Sequence, residues 1–347
     1  MSDKTNPGNF FEDFKVGQEL THATPRTVTE GEIALYTALY GGRFALQSAD
    51  RVAQDFGYPG APVDDWLTFH VVFGKTVPDV SLNAVANLGY AQGRFLAPVF
   101  PGDTLSTTST VIGLKQNSNG KTGTVYVNSK GRNQEGDIVL DYCRWVMVRK
   151  RDENAPAPDP VVPDLPDRVD PDALIAPGID MSHYDHQLIG QPHRLGDYAV
   201  GEKIDHMDGV TIEEAEHMMA TRLYQNTAKV HFNQHTEGQG RFGRRLVYGG
   251  HVISLTRGLS FNGLAPAMWI AGINGGAHTA PAFAGDTIYA WSEILETAEL
   301  SGPLGALRIR TVGVKNRSAG DFPYKGEDGR YAEGVILDLD YWALIAK

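Results

Sequence analysis

The sequence predicts an α+β fold of two similar halves, each with a long central helix wrapped by an antiparallel sheet. Three observations support this prediction: a repeat along the chain, the same order of helix and strands in both halves, and a proline-rich segment between them. The 347 residues also exceed what one hydrophobic core usually serves, so length alone favours two domains.

The repeat has an offset of about 184 residues. It carries the run Asp13–Gly17 to Asp197–Gly201, where Asp, an aromatic residue, Val and Gly recur in the same order. Further along, Pro98–Leu105 matches Pro281–Ile288 within one residue of that register. So many matches in the same order indicate a duplicated fold.

A segment rich in proline and aspartate separates the two copies. Residues 152–178 hold seven of the nineteen prolines. With few backbone donors and little apolar mass, such a segment is expected to run extended over the surface. We therefore place an N-terminal repeat at residues 1–151, a linker at 152–185 and a C-terminal repeat at 186–347.

Each copy shows the same order of elements. Hydroxyl and acidic residues that favour a helix start occur at Thr27–Glu30 and Thr211–Glu214. Two apolar segments with few breakers, Trp66–Lys75 and Gly250–Leu259, suit long buried helices. Enrichment in β-branched residues predicts strands at Gly93–Leu96, Thr104–Leu114, Thr122–Asn128, Ile138–Arg149, Asp286–Leu295, Leu307–Val314 and Val335–Ile345. The two copies are expected to pack side by side and to extend one sheet into the other.

Composition argues against several classes of function. The net charge of −11 speaks against general binding to nucleic acids or acidic membranes. No apolar run approaches the roughly 20 residues that a membrane-spanning helix needs. Cys143 is the only cysteine, so no internal disulfide can form. Since the first residues also lack the features of a secretory signal, we expect a cytoplasmic protein.

The stretch Tyr224–Leu255 carries the residues best suited to chemistry. Asn226 and His231 lie five residues apart, and Gly249 and Gly250 follow about eighteen residues later, where an apolar helical run begins. An imidazole can take and return a proton near neutral pH, and the first amide of a helix can hold a carbonyl oxygen. On the residues alone, a structural histidine, an asparagine that satisfies its own turn and glycines for close packing remain open.

This stretch resembles the MaoC-like hydratases and dehydratases, which are built from hotdog folds. Their catalytic loop runs Gly-Asp-x-Asn-Pro-x-His and their helix begins Ile-Ala-His-Gly-Met; Gln225–His231 and Leu246–Gly250 stand at these positions. Because the resemblance covers both halves, it implies a double hotdog fold and reversible hydration of an enoyl-CoA thioester. It further implies that His231 transfers protons, that the Gly249 amide holds the thioester oxygen, and that no dissociable cofactor is needed. Hotdog proteins often pair their sheets, so a homodimer is expected.

The sequence departs from the family pattern in both copies. Gly42 and Gln47 replace the loop Asp and His in the first copy, which is therefore expected to be inactive and to shape a substrate tunnel. In the second copy Asn226 replaces the loop Asp, and an amide cannot accept a proton as a carboxylate does. Asn226 is then left to orient water or the imidazole. The candidates for the missing carboxylate are Asp64, Asp65 and Glu237.

The predicted site has catalytic and substrate-binding members. The catalytic residues are Asn226, His231 and Gly249, and the substrate-binding residues are Tyr248, Gly250, Arg241, Arg244, Arg245 and Asp65. The arginines could bind CoA phosphates or a free carboxylate of the substrate, or they could form a solvated basic face. The cluster His183, His186 and His193 lacks cysteines and carboxylates at ligand spacing, so no metal site is predicted.

Two alternative functions stay open at this point. A hotdog acyl-CoA thioesterase would usually need a carboxylate where Asn226 stands. A non-catalytic acyl-CoA-binding protein would tolerate that asparagine. In all three readings the partner is a CoA thioester, and neither nucleic acid nor membrane is expected to bind.

Overall fold

A computed structural model describes residues 4–176 and 178–347 of the chain. In the first repeat the strands are β1 (Glu19–Thr27), β2 (Ala84–Phe95), β3 (Thr104–Gln116), β4 (Thr122–Arg132) and β5 (Ile138–Arg149). In the second repeat they are β6 (Lys203–Thr211), β7 (Trp269–His278), β8 (Thr287–Glu299), β9 (Leu304–Lys315) and β10 (Val335–Ala346). All the pairings among them are antiparallel.

These strands form one continuous sheet in the order β1-β3-β4-β5-β2-β7-β10-β9-β8-β6. The order reads the same from both ends once each strand is exchanged for its repeat partner. The two copies meet where Gly93 and Arg94 of β2 pair with Ile273 and Gly272 of β7. The prediction that the duplicated halves extend one sheet into the other is therefore confirmed.

Two long helices pack against this sheet. The helices of the first repeat are α1 (Glu30–Tyr40), α2 (Ala45–Ser48), α3 (Asp50–Asp55) and α4 (Asp65–Thr76). The helices that follow the linker are α5 (His186–Ile189), α6 (Glu214–Leu223), α7 (Gln234–Glu237) and α8 (Gly249–Leu264). Helices α4 and α8 bury most of their side chains in one hydrophobic core that includes residues of both repeats. Both were predicted, but each prediction starts one residue late, and the predicted ends at Lys75 and Leu259 fall short of the observed ends at Thr76 and Leu264.

Equivalent contacts recur at the repeat offset. The Nε2 atom of His22 lies 2.8 Å from Ser109 Oγ, and Nε2 of His206 lies 2.8 Å from Ser292 Oγ. In each repeat a buried imidazole thus ties the edge strand to its neighbour through a hydroxyl group. The duplication seen in the sequence therefore extends to individual hydrogen bonds.

The predicted strands omit β1, β6, β7 and most of β2. The edge strands β1 and β6 expose most of their side chains, so the alternation that marks a half-buried strand is absent. The central strands β2 and β7 are rich in glycine, which is usually depleted in strands. Glycine is needed at Gly93, because a Cβ atom there would lie 2.7 Å from Ile273 Cβ on the paired strand.

The linker is mostly exposed but is tied to the sheet at several points. Val161 forms an isolated bridge with Leu114, and the Val169 N–H donates to Asn274 Oδ1 at 2.7 Å. The indole N–H of Trp342 donates to the Val169 carbonyl at 3.0 Å. The proposed limits at residues 151 and 185 stay predictions. Within the described ranges, no helix is both long and apolar enough to cross a bilayer.

Candidate functional site

His231 lies at the end of a short 3₁₀ turn, Lys229–His231, between α6 and α7. Its Nδ1 atom is 2.9 Å from the carbonyl oxygen of Leu246. A carbonyl oxygen can only accept a hydrogen bond, so Nδ1 carries the hydrogen and Nε2 carries the lone pair. Burial lowers the pKa of His231 to about 4, which keeps the ring neutral near pH 7. The imidazole is therefore held as a base whose available nitrogen is Nε2.

Helix α8 begins at Gly249 with backbone amides that have no acceptor. The Tyr248 N–H donates to His217 Nε2 at 2.9 Å, and the His251 N–H donates to the Tyr248 carbonyl at 2.9 Å. Between them, the N–H groups of Gly249 and Gly250 make no hydrogen bond to any described residue. Such amides at the positive end of a helix favour an oxygen that carries negative charge.

His231 and the start of α8 lie side by side. The ring of Tyr248, the residue before the open amides, has its centroid 5.5 Å from that of His231. Gly250 is needed for close packing, since a Cβ atom there would lie 2.4 Å from Tyr248 Cε1 and 2.5 Å from His70 Cε1. The structure thus brings the predicted residues His231, Tyr248, Gly249 and Gly250 together.

Asn226 is buried in the turn that follows α6. Its Oδ1 atom accepts the N–H of Ala228 at 3.0 Å, and its own N–H donates to the Thr221 carbonyl at 3.0 Å. The side-chain oxygen therefore satisfies the turn, which is one of the alternatives that the sequence left open. Only the Nδ2 amide is left for orienting a water molecule.

The three predicted arginines have different surroundings. Arg245 forms an ion pair with Glu214, and its side chain is only 12% exposed. Arg244 stacks on the ring of Phe283 at 4.0 Å, and Arg241 lies 5.1 Å from the ring of Phe242. Both Arg241 and Arg244 are exposed. These two guanidinium groups can meet an anionic ligand from solvent, whereas that of Arg245 already has a carboxylate partner.

Asp65 occupies the position in the first repeat that Gly249 occupies in the second. It opens α4 and, with Gln47 and Trp269, lines a cavity of about 350 Å³. Its Oδ2 atom accepts the Ile270 N–H at 2.8 Å, and burial raises its pKa to about 8. No hydrogen bond or ion pair joins Asp65 to His231 among the described residues.

The carboxylate expected beside His231 is not found in the described part of the chain. The pKa of His231 is set by burial and by the Leu246 carbonyl, without a carboxylate contribution. Asp64 caps α4 by accepting the Trp66 N–H at 2.8 Å, so it belongs with Asp65 in the first repeat. Glu237 lies at the end of α7 and makes no hydrogen bond or ion pair to the imidazole. A backbone carbonyl orients the base instead.

Sequence reasoning missed His278, the last residue of β7. Its ring packs against Gly249 so closely that a Cβ atom on that glycine would lie 2.4 Å from His278 Cε1. Burial, with a smaller contribution from the nearby His231, lowers the pKa of His278 to about 4. The sequence held one indication of this residue. In the register of the Pro98–Leu105 match, the second repeat has the polar His278 where the first repeat has the apolar Phe95.

The histidines of the site do not form a metal centre with neighbouring carboxylates. Across residues 4–176 and 178–347, no group of three or more His, Cys, Asp or Glu side chains is arranged to hold a metal ion. His183, His186 and His193 lie at the end of the linker and just after it, and none of them contacts His231 through a hydrogen bond or ring contact among the described residues.

Comparison with known proteins identifies close relatives. The profile of the mesaconyl-CoA hydratase family matches residues 1–318. A β-methylmalyl-CoA dehydratase of Chloroflexus aurantiacus is 64% identical, covering 100% of this chain and 99% of the relative. A mesaconyl-CoA hydratase of Cereibacter sphaeroides is 61% identical, covering 99% of this chain and 100% of the relative.

Solved structures show the same architecture. A MaoC domain protein from Chloroflexus aurantiacus superposes with a TM-score of 0.98 at 64% identity, covering 100% of this chain and 99% of that chain. A Mycobacterium tuberculosis protein with a double hotdog fold superposes with a TM-score of 0.74 at 27% identity, covering 98% of both chains. The predicted resemblance to MaoC-like proteins and the predicted double hotdog fold are both confirmed.

Proposed function

The chain belongs to the mesaconyl-CoA hydratase family, and on that premise we propose that it catalyses the reversible addition of water to mesaconyl-CoA to give β-methylmalyl-CoA. One observation in this structure carries the proposal. A neutral imidazole with a lone pair on Nε2 lies beside two helix amides that have no acceptor in the described part of the chain. That pairing provides the base and the oxyanion donor that hydration of an enoyl thioester needs.

Hydration begins with the attack of water on the β-carbon of the enoyl group. His231 Nε2 takes a proton from the water molecule while the new carbon–oxygen bond forms. The π electrons of the double bond move toward the thioester, and its oxygen gains negative charge against the Gly249 N–H. The imidazolium of His231 then returns the proton to the α-carbon, which restores the neutral base. Because one group handles both transfers, hydrogen and hydroxyl enter from the same face.

The Gly249 amide is well suited to this charge. It is fixed in the first turn of α8, so it needs no reorganisation as the oxyanion develops. The positive end of the helix adds to the attraction. Loss of one such donor raises the barrier in other enzymes by roughly 3–4 kcal/mol.

We assign binding of the CoA phosphates to Arg241 and Arg244. Their exposure to solvent supports this assignment, whereas Arg245 is paired with Glu214. The reaction as written uses only groups of the protein, and no dissociable cofactor takes part in it. We also propose that the protein is a cytoplasmic homodimer. Size-exclusion chromatography with light scattering tests the oligomeric state.

One assay tests this function against its alternatives. Purified protein is incubated with mesaconyl-CoA while the enoyl absorbance and free thiol are followed in parallel. Loss of the enoyl absorbance without thiol release is the expected result. Thiol release would identify an acyl-CoA thioesterase. Tight binding of the thioester without either change would identify an acyl-CoA-binding protein.

A further inference from the structure

We infer that His278 is a second hydrogen-bond donor to the thioester oxygen, acting beside the Gly249 amide. The inference rests on the proposed function, since it names a further catalytic residue for the same reaction. The proposed reaction assigns only the Gly249 N–H to the developing oxyanion, and sites of this kind commonly use more than one donor.

The position of the His278 ring carries the inference. A Cβ atom built on Gly249 would lie 2.4 Å from Cε1, 2.5 Å from Nε2 and 2.6 Å from Nδ1 of this imidazole. The ring therefore packs against the Cα atom of Gly249, whose N–H has no acceptor among the described residues. It is only partly exposed, and it lies close enough to His231 for that imidazole to lower the pKa of His278. The inference places a carbonyl oxygen held by the Gly249 N–H beside the same imidazole.

The Tyr90 hydroxyl is a hydrogen-bond partner of the His278 ring. It lies 3.4 Å from His278 Nε2. Burial raises the pKa of Tyr90, so its hydroxyl keeps the proton and can either donate to Nε2 or accept from an Nε2–H group. The inference takes the tautomer in which Tyr90 donates. The imidazole hydrogen is then on Nδ1, which makes no hydrogen bond among the described residues and can donate to the thioester oxygen.

The neutral state of His278 suits this role. Burial and the positive end of α8 both disfavour imidazolium at this place. A neutral imidazole can polarise a carbonyl group without giving up a proton, as the neutral histidine of triosephosphate isomerase does. Proton transfer can then stay with His231, whose Nε2 lone pair is available.

The first repeat supplies a matched comparison within the chain. Phe95 stands at the position of His278 and packs its ring near Trp66, with centroids 6.4 Å apart. An aromatic ring of similar size, without a donor, is thus compatible with this place in the fold. The variant His278→Phe removes the N–H while keeping a ring, and His278→Gln restores an N–H that cannot exchange protons readily.

Steady-state kinetics with mesaconyl-CoA tests the inference. We expect His278→Phe to lower kcat by about 100-fold or more with little change in KM, and His278→Gln to recover part of that loss. Full activity of His278→Phe would overturn the inference. So would a change confined to KM, or a His278→Gln variant as slow as His278→Phe. An inactive wild-type enzyme would instead contradict the proposed function.

A spectroscopic readout separates donation from a purely structural role. The saturated thioester methylsuccinyl-CoA, labelled with ¹³C at its carbonyl, is bound to the full-length protein and its carbonyl stretch is recorded. A donor on the oxygen lowers this frequency. We expect the frequency to be lower in the wild type than in His278→Phe, with Tyr90→Phe between them. Equal frequencies in the wild type and His278→Phe would overturn the inference, even if the variant were less stable than the wild type.

Discussion

The Nδ1 atom of His231 lies 2.9 Å from the carbonyl oxygen of Leu246, three residues before the open amide of Gly249. One short segment therefore orients the base and also presents the oxyanion donor. In the family loop an aspartate accompanies the histidine, and here Asn226 uses its Oδ1 atom in its own turn. A backbone carbonyl fixes the tautomer of His231 in place of a carboxylate.

Removal of the His231 imidazole is expected to abolish most of the activity. The variant His231→Ala loses the group that takes the proton from water, and such groups contribute about 10²- to 10⁴-fold to rates. Steady-state measurement of kcat with mesaconyl-CoA checks this. His235→Ala, an exposed histidine of the neighbouring helix α7, is the matched control and should keep the wild-type rate. A His231→Ala variant within tenfold of the wild type would remove this residue from the mechanism.

The acidic limb of the pH profile should lie near pH 4. His231 acts in its neutral form, and burial lowers its pKa to about 4, so activity is lost only as pH falls through that value. With a base of the ordinary histidine pKa, kcat/KM would fall about 25-fold between pH 7 and pH 5. We expect kcat/KM to change little over that range, with circular dichroism to confirm that the protein stays folded. An inflection near pH 6.5 would contradict the assignment.

Gly249 should not tolerate a side chain. In Gly249→Ala the new Cβ atom would lie 2.4 Å from His278 Cε1, so either the ring or the start of α8 has to move. A displacement of about 1 Å in a site of this kind costs about 100-fold in rate. The measurement is kcat together with the thermal midpoint. Gly196→Ala is the control, because a Cβ atom at Gly196 would meet nothing within 4 Å.

The parts of the fold that could be predicted are those with strong local patterns. Helices α4 and α8 are apolar over more than two turns, and the strands β3, β4, β5, β8, β9 and β10 are rich in β-branched residues. The edge strands β1 and β6 lack such a pattern because they bury few side chains. The middle strands β2 and β7 lack it because close pairing across the repeat junction requires glycine.

The site shows the same division between local and long-range information. His231 and Gly249 lie close together as their spacing within one loop and helix predicts. His278 comes from β7, which follows α8 in the chain, and its approach to Gly249 depends on how that strand pairs within the sheet. Asp65 aligns with Gly249 across the repeat, yet it opens α4 and makes no hydrogen bond or ion pair to His231 among the described residues. Its role in substrate binding stays a prediction. A repeat register matches positions, and it does not bring them together.

Arg244 should contribute to binding of the CoA portion and not to the chemical step. Its exposed guanidinium stacks on Phe283 and has a face open to phosphates. We expect Arg244→Ala to raise KM for the CoA thioester about three- to tenfold with kcat unchanged, in keeping with loss of one charged hydrogen bond at a solvated site. The matched control is Arg330→Ala, whose side chain is 89% exposed in a loop away from α8.

The pantetheine thioester of the same acyl group makes this prediction specific to phosphate binding. It keeps the acyl group and the thioester but lacks the nucleotide phosphates, so its KM should be the same for the wild type and Arg244→Ala. The KM of the wild type for the CoA thioester should also rise with ionic strength, since exposed ion pairs are screened by salt. If Arg244→Ala raised KM equally for both thioesters, the arginine would act on the acyl group or on the loop. Phosphate recognition would then have to be assigned elsewhere.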